Sequence, residues 1–253
     1  MVVYEQMMVQ GDCPCHARTP NGGQKMNKPY LKSMDIHGYR SYATPVHIDF
    51  SQKLNVIIGP HGTGKSNILD AIKWCLSDDG GDTWRGKDCN NQTLFTEVSL
   101  TFGTEDNANP EMVLKRRIEY NRDNDIIKTE RFINGELIPE GLFSFRLHTE
   151  GFLKEDISLD RKCLWNLQDD KYSANPEFVM YRFLPTPLCL IDDSLSPSDE
   201  PLNKTFLQMV NALEETSQCI AVSYLKDMAM KADRIIGVTF ESDSSKVYEI
   251  KKI

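Results

Sequence analysis

One eight-residue segment constrains this chain more than any other feature of its sequence. It follows the pattern G-x-x-x-x-G-K-[ST], comes directly after the apolar stretch Leu54–Ile58 and directly precedes an amphipathic stretch. In this context the glycines let backbone N–H groups surround a phosphate, and the following helix directs its positive end at the same place. The segment predicts a nucleotide-binding loop; the alternative is a turn that keeps only the shape. Its residues are Gly59, Pro60, His61, Gly62, Thr63, Gly64, Lys65 and Ser66.

Two side chains of this loop have expected roles. Lys65 is predicted to reach the β- and γ-phosphates of ATP, and the Ser66 hydroxyl is predicted to be a ligand of Mg²⁺. ATP and Mg²⁺ are therefore the expected cofactors.

A second segment ends in two acidic residues. Four apolar residues at 188–191 lead directly into Asp192 and Asp193, as in a P-loop ATPase that presents its magnesium carboxylate at a strand end. Asp192 is predicted to hold Mg²⁺. The next residue is normally a glutamate that polarises the attacking water. Because Asp193 is one methylene shorter, its carboxylate is displaced by about 1 Å, which can cost about a hundredfold in rate. The alternative is a strand that ends in a solvated acidic turn.

Apolar periodicity predicts an α/β fold with a mostly parallel central sheet and an antiparallel β flank. Strands are expected at 31–36, 46–50 and 54–58, followed by a helix from about 68 to 76. A meander of three antiparallel strands is expected over 94–134. Further elements are predicted as strands at 176–183, 188–192, 219–224, 234–240 and 246–252 and a helix from about 200 to 216.

The domain organisation is expected to be simple. Residues 1–27 carry Gly, Pro, Asn and Gln without an apolar period and predict a flexible tail. Residues 28–253 are expected to form a single unit, with an N-lobe at about 28–160 and a C-lobe at about 161–253. The sequence has no sustained heptad repeat, so no coiled coil is predicted. Cys13, Cys15 and His16 offer three zinc ligands, but no second pair follows at metal-site spacing, which favours a loose tail.

Composition excludes several classes of protein. The 29 Lys and Arg against 37 Asp and Glu give a formal charge of −8, which excludes a generally basic nucleic-acid coat and predicts little independent DNA binding. No stretch reaches the roughly 18 apolar residues that a membrane span requires, and the first residues lack a signal-peptide pattern. Seven scattered cysteines are expected to be reduced. We therefore expect a soluble, intracellular protein without a membrane partner.

Two parts of the chain resemble the ATPase head of SMC proteins, the ABC-type ATPases of cohesin and condensin. The runs GYRSY, NVIIGPHGTGKSNILDAI and LSDD are similar to the N-terminal half of that head, and PTPLCLIDD through KADRIIGVTF is similar to its C-terminal half. The likeness covers about 28–160 and 176–252. It implies an ABC/SMC-type head in which Asn67 and Arg85 join the nucleotide-binding residues and Glu150, at the Q-loop position, joins the Mg²⁺ ligands.

The chain departs from the family at positions that act in hydrolysis. The signature Ser-Gly-Gly, which binds the γ-phosphate on the opposite head, is expected near 164–168, where the sequence is LWNLQ. Asp193 stands in place of the catalytic glutamate, and Tyr224 stands at the switch-histidine position. In the family hundreds of residues of coiled coil and hinge separate the two halves, whereas Lys65 and Asp192 are 127 positions apart. The resemblance thus implies a head without arms.

The expected function follows from the family motifs that the chain keeps and those that it lacks. The resemblance implies an ATP-binding, hydrolysis-impaired SMC-like head, similar to small hinge-less proteins that bind condensin subunits and restrain condensin. SMC and non-SMC subunits of condensin or cohesin are the expected partners, and the expected location is the chromosome in the nucleus. One alternative is an active minimal ABC-type ATPase in DNA repair or chromosome maintenance. Another is a chain that binds ATP only to stabilise its own fold.

Overall fold

The computed structural model describes residues 30–76, 90–104, 111–139, 141–143, 188–192, 207, 210–211 and 217–251. Within them it defines two sheets and two helices. The strands are β1 Tyr30–His37, β2 Val46–Asp49, β3 Leu54–Ile58, β4 Phe95–Gly103, β5 Met112–Tyr120, β6 Ile126–Ile133, β7 Glu136–Leu137, β8 Leu188–Asp192, β9 Gln218–Val222, β10 Arg234–Glu241 and β11 Ser244–Ile250. The helices are α1 Lys65–Leu76 and α2 Lys226–Lys231.

The first sheet has five strands in the order β11-β10-β3-β9-β8. Strand β3 pairs in parallel with β10 and β9, and β9 pairs in parallel with β8; only β11 is antiparallel. This confirms the predicted mostly parallel sheet. Its strands come from distant parts of the chain, so β3 lies between two strands that follow it by more than 150 positions. Nearly every residue of β3, β8 and β9 is buried, as expected when both faces of a sheet are covered.

The second sheet has six strands in the order β2-β1-β4-β5-β6-β7, and all its pairs are antiparallel. This confirms the antiparallel flank, and the meander predicted over 94–134 is β4, β5 and β6. The sheet also contains β1 and β2, which precede β3 in sequence. Buried and half-buried residues alternate along β4, because only one face of this sheet packs on the core.

Helix α1 lies between the two sheets. It contacts β4 and β5 on one side and β8 and β9 on the other. Its buried apolar residues are Ile68, Leu69, Ala71, Ile72, Trp74, Cys75 and Leu76. At its C-terminal end Arg116 donates from Nη1 to the Trp74 carbonyl over 2.8 Å, and its guanidinium lies 4.5 Å from the Trp74 ring centre. The helix is therefore fixed at the end opposite the glycine-rich loop that precedes it.

A buried glutamine joins the two sheets. The Gln218 side chain of β9 accepts a hydrogen bond from the Leu31 amide and donates one to the Leu31 carbonyl, both over 2.8 Å. Because Leu31 belongs to β1, this amide ties the antiparallel sheet to the parallel one.

Some expectations differ from the structure or lie beyond the described residues. The short helix α2 and the two-residue strand β7 were not predicted, because neither is long enough to show a period. The tail at 1–27, the strand at 176–183 and most of the helix at 200–216 lie outside the described residues, as do Cys13, Cys15 and His16. No helix in the described ranges is long and apolar enough to cross a membrane.

Candidate nucleotide-binding site

The loop between β3 and α1 is held in a conformation that requires glycine. Gly64 has φ +96° and Gly59 has φ +155°. A Cβ atom on Gly59 would collide with the Val238 carbonyl of β10, and one on Gly64 would collide with the hydroxyls of Ser41 and Ser245. The glycines of the motif therefore serve close packing as well as backbone freedom, and they place the start of α1 at the end of β3.

Lys65 is folded back over this loop. Its side chain is 4% exposed, its Nζ donates to the Pro60 carbonyl over 2.6 Å, and Thr63 Oγ1 donates to the same carbonyl over 3.0 Å. The ammonium is thus held against the loop backbone, where a bound phosphate would lie. Since a phosphate oxygen is a stronger acceptor than a neutral carbonyl, Lys65 can exchange this partner for a nucleotide.

Tyr224 and His61 form an aromatic pair beside Lys65. Their ring centres are 4.8 Å apart with 28° between the planes, and the Tyr224 hydroxyl lies 3.0 Å from His61 Nδ1. The Lys65 Nζ lies 4.8 Å from the centre of the Tyr224 ring. Tyr224 therefore contacts two residues of the loop segment, His61 and Lys65, directly.

Asp192 lies at the same edge of the parallel sheet as the loop. In the ladder Asp192 pairs with Val222, and Val222 pairs with Ile57, two residues before Gly59. Two strand spacings put the Asp192 backbone about 10 Å from β3. Burial lowers the pKa of Lys73 on α1, while the charges of Asp70 and Asp192 oppose this shift, so Asp192 faces the helix that begins at Lys65.

The donor set fits magnesium bound with a nucleotide. Mg²⁺ usually takes one or two protein oxygens and completes its shell with water and phosphate. Ser66 at the start of α1 and Asp192 at the end of β8 offer a hydroxyl and a carboxylate at one sheet edge. The described part of the chain holds no group of three or more His, Cys, Asp or Glu residues that could bind a metal without such help.

Five predicted features differ in whether the structure describes them. Asn67 lies in the first turn of α1, where its amide contacts Arg40 and Ser41. Arg85, Glu150 and Asp193 lie outside the described residues, as does the segment 164–168, so their roles stay predictions.

Sequence reasoning missed three side chains that contact the loop. Tyr42 donates from its hydroxyl to the Gly64 carbonyl over 3.0 Å, and Ser245 donates to the Thr63 carbonyl over 2.7 Å. Ser41 lies beside Ser245, with 2.8 Å between their hydroxyl oxygens. No local pattern could have identified Ser245, because it is 182 positions from Thr63.

Comparison with protein families identifies this architecture. The family described as RecF/RecN/SMC N terminal domain matches residues 30–246, which is most of the chain and includes the loop, Asp192 and Tyr224.

Individual relatives match shorter stretches. The chain is 33% identical over 123 residues to the chromosome partition protein Smc of Mycoplasma pneumoniae, covering 43% of this chain and 12% of that protein. It is 44% identical over 57 residues to the Smc of Halothermothrix orenii, covering 22% and 5%. For Bacillus subtilis Smc the identity is 32% over 103 residues, covering 35% and 9%. The matches thus span about a tenth or less of these relatives.

Solved structures share the fold over most of the chain. A crystal structure of an Smc head bound to the C-winged helix domain of ScpA superimposes with a TM-score of 0.68 at 20% identity, covering 88% of this chain and 98% of that one. The SMC head domain of Thermotoga maritima superimposes with a TM-score of 0.65 at 19% identity, covering 88% and 100%.

Proposed function

The chain belongs to the RecF/RecN/SMC N-terminal domain family, and from this premise we propose that it is an SMC-type head that binds ATP with Mg²⁺. The observation that carries the proposal is the loop from Gly59 to Ser66. Gly59 packs against β10 and Gly64 against two serines, and Lys65 is folded over the loop at the sheet edge that also carries Asp192.

Each group has a physical role in this proposal. The N–H groups at the start of α1 and the Lys65 ammonium bind and orient the phosphates. Ser66 and Asp192 hold the metal, which neutralises phosphate charge when bound. Tyr224 stacks on His61 and lies beside Lys65, so it positions these two side chains of the loop.

We propose that hydrolysis by this protein alone is weak or absent. The sequence LWNLQ at 164–168 supplies neither the serine nor the glycines of the family signature, and Asp193 replaces the catalytic glutamate. In a composite site the signature comes from the opposite head. A true SMC partner could therefore complete the site for ATP held here and would receive no signature in return.

We further propose that the protein associates with SMC complexes, condensin or cohesin, and restrains them on chromosomes in the nucleus. Its relatives are chromosome partition proteins, and a head of the same fold has been solved bound to the C-winged helix domain of ScpA. With only 127 positions between Lys65 and Asp192, the chain has no long arms between its two halves with which to enclose DNA. It can compete for the subunits that a real head binds, and its charge of −8 disfavours direct DNA binding.

The proposed binding of ATP is tested by calorimetric titration of ATP with Mg²⁺ into wild type and Lys65→Ala. We expect binding by wild type, loss in Lys65→Ala, and wild-type binding in Lys53→Ala, a control at an exposed lysine next to the opposite end of β3. Steady-state turnover should stay at background. Turnover that Lys65→Ala abolishes would contradict the impairment and favour the active minimal ATPase.

The proposed association with SMC complexes is tested by purifying the tagged protein from nuclear extract with ATP. The Lys65→Ala variant is purified in parallel, and mass spectrometry identifies the proteins bound to each. We expect condensin or cohesin subunits with wild type and fewer with the variant. If neither complex is recovered although wild type binds ATP, the regulatory role is wrong, and a nucleotide that only stabilises the fold becomes the better explanation.

A further inference from the structure

The C-terminal hairpin reaches the nucleotide loop through one buried hydroxyl. Strands β10 and β11 are joined by Ser242 and Asp243, which have φ +50° and +61°, as in the tight two-residue turns that fix hairpin register. In that register Ser245 pairs with Phe240 and is fully buried. Its amide donates to the Ser41 carbonyl over 2.7 Å, and its hydroxyl faces Thr63.

The Ser245 hydroxyl belongs to a group of hydrogen-bonded side chains beside the loop. The Thr63 carbonyl can only accept, so Ser245 gives it its single hydroxyl proton over 2.7 Å. The Ser41 hydroxyl oxygen lies 2.8 Å from Ser245 Oγ, and it accepts from Asn67 Nδ2 over 2.8 Å. Asn67 Oδ1 accepts from Arg40 Nη1 over 3.2 Å. A chain of hydrogen-bonded side chains thus links a guanidinium to the backbone of the loop.

This contact also orients N–H groups of the loop. In a planar trans peptide the C=O and N–H point in opposite directions. Ser245 holds the Thr63 carbonyl and so directs the Gly64 N–H away from itself, and Tyr42, which holds the Gly64 carbonyl, does the same for the Lys65 N–H. These are N–H groups at the start of α1, where a phosphate would bind.

We infer that Ser245 is a positioning residue of the nucleotide site, through which the C-terminal hairpin sets the orientation of the phosphate-binding amides. The inference rests on the proposed nucleotide-binding function and adds to it a residue that no local motif identifies. Ser245 does not touch the nucleotide; it acts through the carbonyl of Thr63.

The neighbouring serine supplies a matched control. Ser244 is equally buried, and its Oγ contacts Thr44 rather than the loop. We therefore compare Ser245→Ala, Ser244→Ala and Ser245→Thr in the full chain, with wild type and Lys65→Ala as references. The measurements are ATP affinity by calorimetry with Mg²⁺, the urea unfolding midpoint without nucleotide, and hydrogen exchange of the amides at 63–65 in the folded protein without nucleotide.

We expect Ser245→Ala to bind ATP about fivefold more weakly than wild type, because it loses one neutral hydrogen bond. Its amide hydrogens at 63–65 should also exchange faster than those of wild type. Ser245→Thr keeps the hydroxyl and should restore the wild-type exchange rate and most of the affinity. Ser244→Ala should lower the unfolding midpoint to a similar extent and leave affinity and exchange unchanged.

Three results would overturn the inference. They are wild-type affinity and exchange in Ser245→Ala, an equal loss of affinity in Ser244→Ala, and failure of Ser245→Thr to restore either readout. If wild type binds ATP and Lys65→Ala does not, such results leave the proposed function standing. If wild type itself binds no ATP, both the proposed function and this inference are wrong.

Discussion

The ring of Tyr224 stacks on His61 with 4.8 Å between the ring centres, and its hydroxyl lies 3.0 Å from His61 Nδ1. The two residues are 163 positions apart. They meet because β9 is the parallel neighbour of β3, and the Ser223 amide donates to the Ile57 carbonyl over 3.3 Å where both strands end. Carboxyl ends of parallel strands share one sheet edge, so the chains that leave them come together there.

Truncation of Tyr224 should weaken nucleotide binding through Lys65. The ring lies 4.8 Å from the ammonium, a contact worth about 0.5–1 kcal/mol that holds Lys65 over the loop before a ligand arrives. We expect ATP affinity to fall about threefold to fivefold in Tyr224→Ala and to change less than about twofold in Tyr224→Phe, which keeps the ring. Calorimetric titration measures both, and equal affinities of Tyr224→Ala and wild type would show that the ring does not position Lys65.

Two glycines of the loop should differ in their tolerance of alanine. A Cβ on Gly64 meets the Ser41 and Ser245 hydroxyls, whereas one on Gly62, at φ +75°, meets nothing within 4 Å. Gly62→Ala should cost only backbone strain, about 1 kcal/mol of unfolding free energy. Gly64→Ala adds overpacking and should cost about 2–4 kcal/mol. Urea unfolding gives both values, and equal costs would show that Gly64 is not closely packed against the two serines.

His47 should make a small contribution to stability that depends on pH. Hydrogen bonding to Asp35, and secondarily to Asp49, raises the pKa of His47 above its ordinary 6.5, although partial burial opposes the shift. A raised folded-state pKa favours the protonated form, so the added stability is complete below the unfolded pKa near 6.5 and is lost as pH rises through the folded pKa. Because these side chains are more than half exposed, we expect only a few tenths of a kcal/mol.

The measurement for His47 is the free energy of unfolding at pH 5.5 and pH 8.5 for wild type and His47→Gln. The difference between the two proteins should be larger at the lower pH, because only wild type gains a charged partner for the two aspartates. A difference that is constant with pH, or larger at pH 8.5, would show that the ion pairs contribute nothing through His47.

Cys75 should resist alkylation in the folded protein. It is fully buried under the antiparallel sheet, and burial raises the pKa of its thiol to about 12, against the opposing charges of Arg116 and Arg131. Since the thiolate is the reactive form, iodoacetamide at pH 8 should leave Cys75 unmodified in the native state and modify it after unfolding in urea. Peptide mass spectrometry distinguishes the states, and rapid native labelling would mean that α1 opens readily.

Much of the local structure could be predicted from the sequence. The strands β1 to β6, the strands β8 to β11 and helix α1 coincide with predicted segments, because each is long enough for its apolar residues to show a period of two or of three to four. The position of the glycine-rich loop at 59–66 could equally be predicted, since eight consecutive residues carry its glycines and its lysine. Helix α2 and β7 were not, because six and two residues are too few for a period.

By itself the sequence determined most of the elements, the glycine-rich loop at 59–66 and the family, because all three depend on residues close together in the chain. Only the tertiary structure decided that β1 and β2 join the antiparallel sheet, that β3 lies between β9 and β10, and that Ser245 and Tyr224 reach the loop. The physical reason is that sheet partners and buried hydrogen bonds are chosen by the packing of the whole core around α1. A serine or tyrosine far along the chain carries no local sign of the backbone group that it will contact.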